Sequence, residues 1–192
     1  NLYKELLNFC TVELSAFYFD IRKDTLYCDP TNSQKRESTI ILLNIILNSL
    51  LKWFAPILSF TTEEIFRLLS NNNKSIHLEK FLDFPESFKN KNLEEKWYEL
   101  LKVRNICNIS IEKKRASKEI GSSLEAQIEI TLNKKFIEIT KEIDFSELCI
   151  TSKAEILFDE NKEIIVKTSK AKGSKCPVCW KITEEACTRH TE

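Results

Sequence analysis

The apolar residues of this chain change period once, and the change divides what the chain can fold into. Up to Ile120 they recur at intervals of three and four, the repeat of helices with a buried face. Beyond Gly121-Ser122-Ser123 they alternate: Ile128, Ile130 and Leu132 are separated by Glu129 and Thr131, the pattern of a half-buried strand. The expected architecture is therefore mainly α: a helical-bundle domain over residues 1–120, a small α+β unit over 121–168, and a short tail over 169–192.

Within the first part, Tyr3, Leu7, Cys10, Leu14, Phe17 and Ile21 share one helical face, and the helix is expected to end near Ile21, before Asp29-Pro30. After a polar loop at 31–35, a second helix is expected over 38–54. It is apolar almost all round, the mark of a central helix packed on several sides. Pro56 ends it, and Thr61 with Glu64 reads as the capping box of a third helix, which Asn71-Asn72-Asn73 stops. Phe81, Phe84, Pro85 and Phe88 are expected to pin an aperiodic connection to the body. A fourth helix runs over 93–120 to the Gly121 stop, with a basic second half: Lys102, Arg104, Lys113, Lys114, Arg115 and Lys118. That stretch reads either as a solvated face or as a phosphate contact. A short helix over 134–143 and strands at 148–151, 154–158 and 163–167 complete the α+β unit.

The tail concentrates the chemistry. Cys176, Cys179, Cys187 and His190 follow the order C-x2-C-x7-C-x2-H, and four thiolate or imidazole ligands are what a tetrahedral zinc ion takes. An incomplete site, or a redox pair at the C-x2-C, are the other readings. Trp180 follows the turn directly, with Lys175, Lys181 and Arg189 close in sequence. It reads either as the miniature core of the knuckle or as a ring on which an RNA base stacks.

Composition limits the partners. Acidic and basic residues balance at 29 each, which argues against bulk electrostatic capture of nucleic acid but not against a local basic surface. The odd count of seven Cys, without a secretory leader, argues against a disulfide framework, and Cys10, Cys28, Cys107 and Cys149 read as small buried hydrophobes. The most apolar stretch, 40–60, is broken by Asn44, Asn48, Ser49, Lys52 and Pro56, so neither a membrane span nor a membrane partner is expected, and the protein is expected to be cytoplasmic. No Gly-rich phosphate loop, nucleophile elbow or catalytic carboxylate pair is present. Asn1 in place of an initiating Met suggests a piece of a longer protein.

Phe17-Tyr18-Phe19-Asp20-Ile21-Arg22-Lys23-Asp24 looks like the end of a first anticodon-domain helix, and the run from Ala55 to Phe66 is similar to a signature of the isoleucine, valine, leucine and methionine class I synthetases. Together with Glu119–Ala126 and the Cys176-x2-Cys179-Trp180 turn, these stretches make the whole chain resemble the C-terminal region of bacterial isoleucyl-tRNA synthetases. The resemblance implies an anticodon-binding domain to about residue 100, then a junction and zinc-binding domain that grips the anticodon stem-loop of tRNA(Ile). It implies a zinc-binding domain, for which the spacing offers Cys176, Cys179, Cys187 and His190 to one ion per chain, and RNA contact at Trp180, for which Lys175, Lys181, Arg189, Lys113 and Arg115 are the basic residues available. Further partners would be the rest of the synthetase chain on the N-terminal side. DNA is not expected as a partner, and the assembly would be monomeric. ATP and Mg would belong to a catalytic domain whose His-x-Gly-His-like and Lys-Met-Ser-Lys-Ser-like motifs this chain lacks, so no catalytic residue is expected here. The sequence departs from the family twice: the usual second C-x2-C is replaced by Cys187 and His190, and Val178 stands where many members carry a basic residue. A valine or leucine synthetase domain, and a helical interaction module with a structural zinc knob that never meets RNA, are the competing readings.

Overall fold

The computed structural model describes residues 2–70, 74–160 and 163–190. Contacts gather these residues into two compact units that cut across the sequence division at residue 120: one holds Asn1–Cys28 with Asn90–Glu192, the other Asp29–Lys89.

The first unit begins with a helix that runs without a break through α1 (Leu2–Asn8), a π-helical stretch Phe9–Phe19, and α2 (Asp20–Cys28). It therefore continues well past Ile21. Arg22, Lys23 and Asp24 are compatible with helix, and Lys23 pairs with Asp20 one turn back at 2.8 Å. The stop is Asp29-Pro30, because a residue before proline is forced out of the helical region. The buried face also shifts from the expected one. The shift is confined to the first turns, where Leu6 is enclosed while Tyr3 and Leu7 are exposed; Leu14 and Ile21 are enclosed and Phe17 packs on the core, as expected.

The longest helix, α5 (Lys91–Ala116), is capped by Asn90, whose side chain accepts from Leu93 N. Leu100, Val103, Cys107 and Ile111 form its buried stripe. It ends before Gly121: Lys118 takes a left-handed conformation (φ 58), and the amides of Lys118 and Glu119 bond back to Arg115 O and Lys114 O. Against α5 lies a three-stranded sheet in the order β2-β1-β3, made of β1 (Ala126–Asn133), β2 (Lys153–Asp159) and β3 (Ile165–Lys170). The central strand pairs parallel with β2 and antiparallel with β3, placing Ile130 opposite both Ile156 and Val166. Ala126, Ile128, Ile130 and Leu132 all point into the core, as the alternation predicts. Each such isoleucine or leucine contributes about 1.5–3 kcal/mol by leaving water. Ser110 of α5 bonds Thr168 of β3 at 2.7 Å, fixing the helix over the sheet.

A parallel pair needs a crossover, which contains α6 (Ile137–Thr140) and α7 (Phe145–Leu148). The expected strand at 148–151 is instead the end of α7 and the turn after it. Asp144 caps that helix by accepting from the amides of Ser146 and Glu147, and Ile150 reverses the chain at φ 55. A two-stranded ribbon, β4 (Ser174–Lys175) against β5 (Ile182–Thr183), closes the unit.

The second unit holds α3 (Gln34–Phe54) and α4 (Ser59–Leu69). Helix α3 starts four residues earlier than expected, with Ser33 as its cap. Its core is small: Leu51, Ala55 and Ile76, with Leu47, Ile65 and Phe66 packed against them. The expectation of a central helix buried on several sides fails, since Ile40, Ile41 and Leu42 are exposed. By length and composition alone α3 is long and apolar enough to cross a membrane, which the count of interrupting polar residues had excluded. Those residues are absorbed locally: Asn44, Asn48 and Ser49 each donate to the carbonyl one turn back. Lys52 pairs with Glu79 at 3.6 Å.

No capping box forms at Thr61 and Glu64. Helix α4 begins at Ser59 behind Leu58, and Thr62 bonds back to Leu58 O. Glu63 instead holds the following loop, accepting from Ser75 Oγ at 2.8 Å, Ile76 N at 2.9 Å and Arg67 Nε at 2.8 Å. The Ser75 hydroxyl leads these in keeping its carboxyl below the usual range. The proposed Asn71-Asn72-Asn73 stop lies outside the described residues. Phe81, Phe84 and Phe88 are exposed and do not pin their segment; only Phe84 and Phe88 approach each other, at 6.5 Å between ring centres.

Candidate metal centre and nucleic-acid interface

The tail folds as a knuckle because its backbone groups find partners across a very short ribbon. Cys176 N donates to Lys181 O at 2.9 Å and Trp180 N to Cys176 O at 3.0 Å, closing the turn between β4 and β5. At Gly173 (φ 117) the ribbon leaves no space: a Cβ would stand 2.0 Å from Thr183 O. Ser152 joins the knuckle to the sheet unit, accepting from Ile182 N at 2.6 Å while its hydroxyl bonds Leu124 O.

This turn brings Cys176, Cys179, Cys187 and His190 together, with one ligand atom from each lying within 4.8 Å of all the others. The Cys179 and Cys187 sulfurs are 3.9 Å apart, and His190 Nδ1 is 3.5 Å from Cys176 Sγ and 3.3 Å from Cys187 Sγ. Bonds of roughly 2.3 Å to sulfur and 2.1 Å to nitrogen give tetrahedral edges of about 3.8 Å between sulfurs and about 3.5 Å between sulfur and nitrogen. The four side chains therefore fit a tetrahedral ion with little movement. The other ring nitrogen of His190 lies 2.9 Å from Cys28 O, the carbonyl partner that orients a metal-binding imidazole.

The local electrostatics favour the thiolate at Cys176 and disfavour it at Cys179. Amide hydrogen bonds from Cys179 and then Val178 bring the Cys176 thiol down to about 6. Burial pushes Cys179 up to about 11, and the Cys28 carbonyl raises His190.

Trp180 is not miniature core. It is 59% exposed and sits at φ 65, a left-handed conformation that a bulky residue seldom adopts. Lys175 lies over its ring, 5.0 Å from the centroid. Lys181 reaches Ser146 Oγ at 3.4 Å. Arg189 is committed to Asp24 at 2.6 Å, so its first role is to tie the tail to α2. Lys113 and Arg115 sit at the far end of α5. Lys113 is exposed, while Arg115 pairs with Glu112 at 2.6 Å. The basic half of α5 is in fact largely engaged: Lys114 bonds Glu119, Lys102 bonds Glu99, and Arg104 donates to Leu148 O while lying over Phe17.

Beside Trp180 a groove of about 350 Å³ opens between α2 and the knuckle. Its lining includes Tyr27, Asp24, Ile150, Val178, Trp180 and Lys181. Sequence reasoning missed Tyr27 and Asp24 because it ended the helix too early. It also set Cys28 aside as a buried hydrophobe, although this residue is half-buried and its Sγ lies 3.8 Å from Val178 O.

The chain thus carries an exposed aromatic ring on a Cys/His knuckle within a mainly helical fold. The model of the anticodon-binding domain of tRNA ligases matches residues 1–130, and the chain belongs to that family. Over all of its 192 residues it is 66% identical to the isoleucine–tRNA ligase of Pelagibacter ubique, of which it spans 21%. It is 38% identical to that of Agrobacterium fabrum, with 95% of the chain and 20% of the relative covered. It is 41% identical to that of Rhodopseudomonas palustris, with 92% and 19% covered. The chain thus spans about a fifth of the length of these relatives.

Proposed function

We propose that this chain is the anticodon stem-loop-binding portion of an isoleucine–tRNA ligase. The ligase as a whole activates isoleucine with ATP and transfers it to tRNA(Ile) in the cytoplasm, acting as a monomer. The chain supplies recognition, and the chemistry with its ATP and Mg belongs to the remainder of the ligase. The observation that carries this reading is Trp180. It is held exposed in a left-handed turn on the Cys/His knuckle, with the Lys175 ammonium above its ring. Aromatic stacking on a splayed base combined with cationic contact to phosphate is how proteins read single-stranded RNA loops.

Cys176, Cys179, Cys187 and His190 are proposed to hold one zinc ion, whose contribution is structural: it crosslinks a segment too short to build a core. Lys175 and Lys181 approach phosphate beside Trp180. Lys113 and Arg115 form a second, outlying contact, and Arg189 acts mainly by docking the tail on α2. A gel shift with tRNA(Ile) carrying the GAU anticodon, set against the same tRNA with a swapped anticodon, tests the assignment. Preferential binding of the first is expected; equal weak binding of both overturns recognition.

A further inference from the structure

We propose that the groove between α2 and the knuckle is a nucleobase pocket, and that Tyr27 is its second stacking side chain, a positioning residue for the anticodon loop. This rests on the anticodon-binding reading and names a site within it. A volume of about 350 Å³ is that of a small-ligand site, and Ile21, Leu124, Ile150 and Val178 give it an apolar lining. Two further lining side chains, Tyr27 and Trp180, are aromatic and remain 83% and 59% exposed. Aromatic rings left in water at an RNA-binding surface are platforms for unstacked bases.

Charge decides which part of a nucleotide enters. Asp20, Asp24 and Glu147 line the groove against only Lys23 and Lys181. The carboxylates of the lining offer acceptors to the N–H donors on the edge of a base, and no donor to a phosphate. Each carboxylate is held in place by a cation: Asp20 by Lys23 at 2.8 Å, Asp24 by Arg189 at 2.6 Å and Glu147 by Arg22 at 2.8 Å. A carboxylate offers about four lone-pair sites, so one already ion-paired can still accept from a base. Lys175, over the ring of Trp180 and outside this lining, is left to meet the backbone. The two walls are fixed to each other by the Arg189–Asp24 pair and by the contacts of Cys28 with His190 and Val178. The pocket is therefore formed before RNA arrives, and its ordering does not subtract from affinity.

The test uses the 192-residue chain and an anticodon stem-loop RNA, together with three RNAs each abasic at one anticodon position. Tyr27→Ala is expected to weaken binding of the intact stem-loop about tenfold, the effect of losing one stack, and Tyr27→Phe to bind like wild type. One of the three abasic RNAs should bind wild type and Tyr27→Ala equally, because the base that Tyr27 holds is already missing. Unfolding midpoints should be unchanged, as the side chain is exposed. The pocket is overturned, with anticodon binding left standing, if Trp180→Ala weakens binding while Tyr27→Ala does not. It is also overturned if Tyr27→Ala weakens all three abasic RNAs as much as the intact one. Equal binding of a scrambled loop by wild type sinks the underlying reading and the pocket with it.

Discussion

Leu100, Val103 and Cys107 on α5 and Ile128, Ile130 and Leu132 on β1 are all closed to solvent, whereas from Ser174 to His190 the only buried side chains are Cys176 and Cys179. Both regions belong to one compact unit. The first is held by apolar surface withdrawn from water, spread over many contacts that each contribute a little. The second has almost no such surface and depends on four ligand atoms and a few backbone bonds. One should therefore yield gradually to mutation, and the other all at once to loss of a ligand.

The sharpest way to break the comparison is at the ligands. Cys176→Ser removes one of four ligands from a site whose whole binding free energy is on the order of 10 kcal/mol, and should no longer retain the metal. Elemental analysis should give about one zinc per wild-type chain and none for the variant, with amide protection lost from 174–190 but kept in β1. A fully protected, metal-free tail would contradict it. Next comes Ile130→Ala, expected to cost about 2–5 kcal/mol in urea unfolding through the cavity it leaves, with metal content unchanged.

Asp144→Ala removes the cap of α7 and should cost about 1 kcal/mol. Burial pushes this carboxyl upward, but the Ser146 hydroxyl and the amides of Glu147 and Ser146 outweigh it and hold it below the ordinary range. A carboxylate depressed in the folded state stabilises above its unfolded pKa and ceases to do so as pH falls through the folded one. The gap between wild type and variant should therefore be constant at neutral pH and narrow below about pH 4; a gap that widens in acid would refute this. The smallest effect has the opposite sign. Trp180→Gly relieves a left-handed conformation worth roughly 1 kcal/mol and should slow zinc loss to a chelator while RNA affinity falls. Faster loss would mean that the ring supports the knuckle after all.

How much was legible varies with how local the cause is. The alternation of β1 could be read directly, since a strand with one face inward writes its burial into every second residue. The ligand order of the tail was equally plain, and its four side chains do converge. The first helix was cut short because Arg22, Lys23 and Asp24 look like an exit when read as charge, although each is at home on a helix. Glu63, in the first half of α4, serves a loop twelve residues on, a pairing no local pattern encodes. The exposure of Ile40, Ile41 and Leu42 was illegible for another reason: periodicity shows which residues are apolar, not whether a neighbour stands opposite.

The hydrogen bond between His190 and the carbonyl of Cys28 spans 162 positions. A ribosome adding about 5–20 residues per second completes the helix bearing Tyr27 roughly ten to thirty seconds before His190 emerges. Throughout that interval the helix has no knuckle to face. The wall opposite Tyr27 thus becomes available only after the helix that faces it has been made.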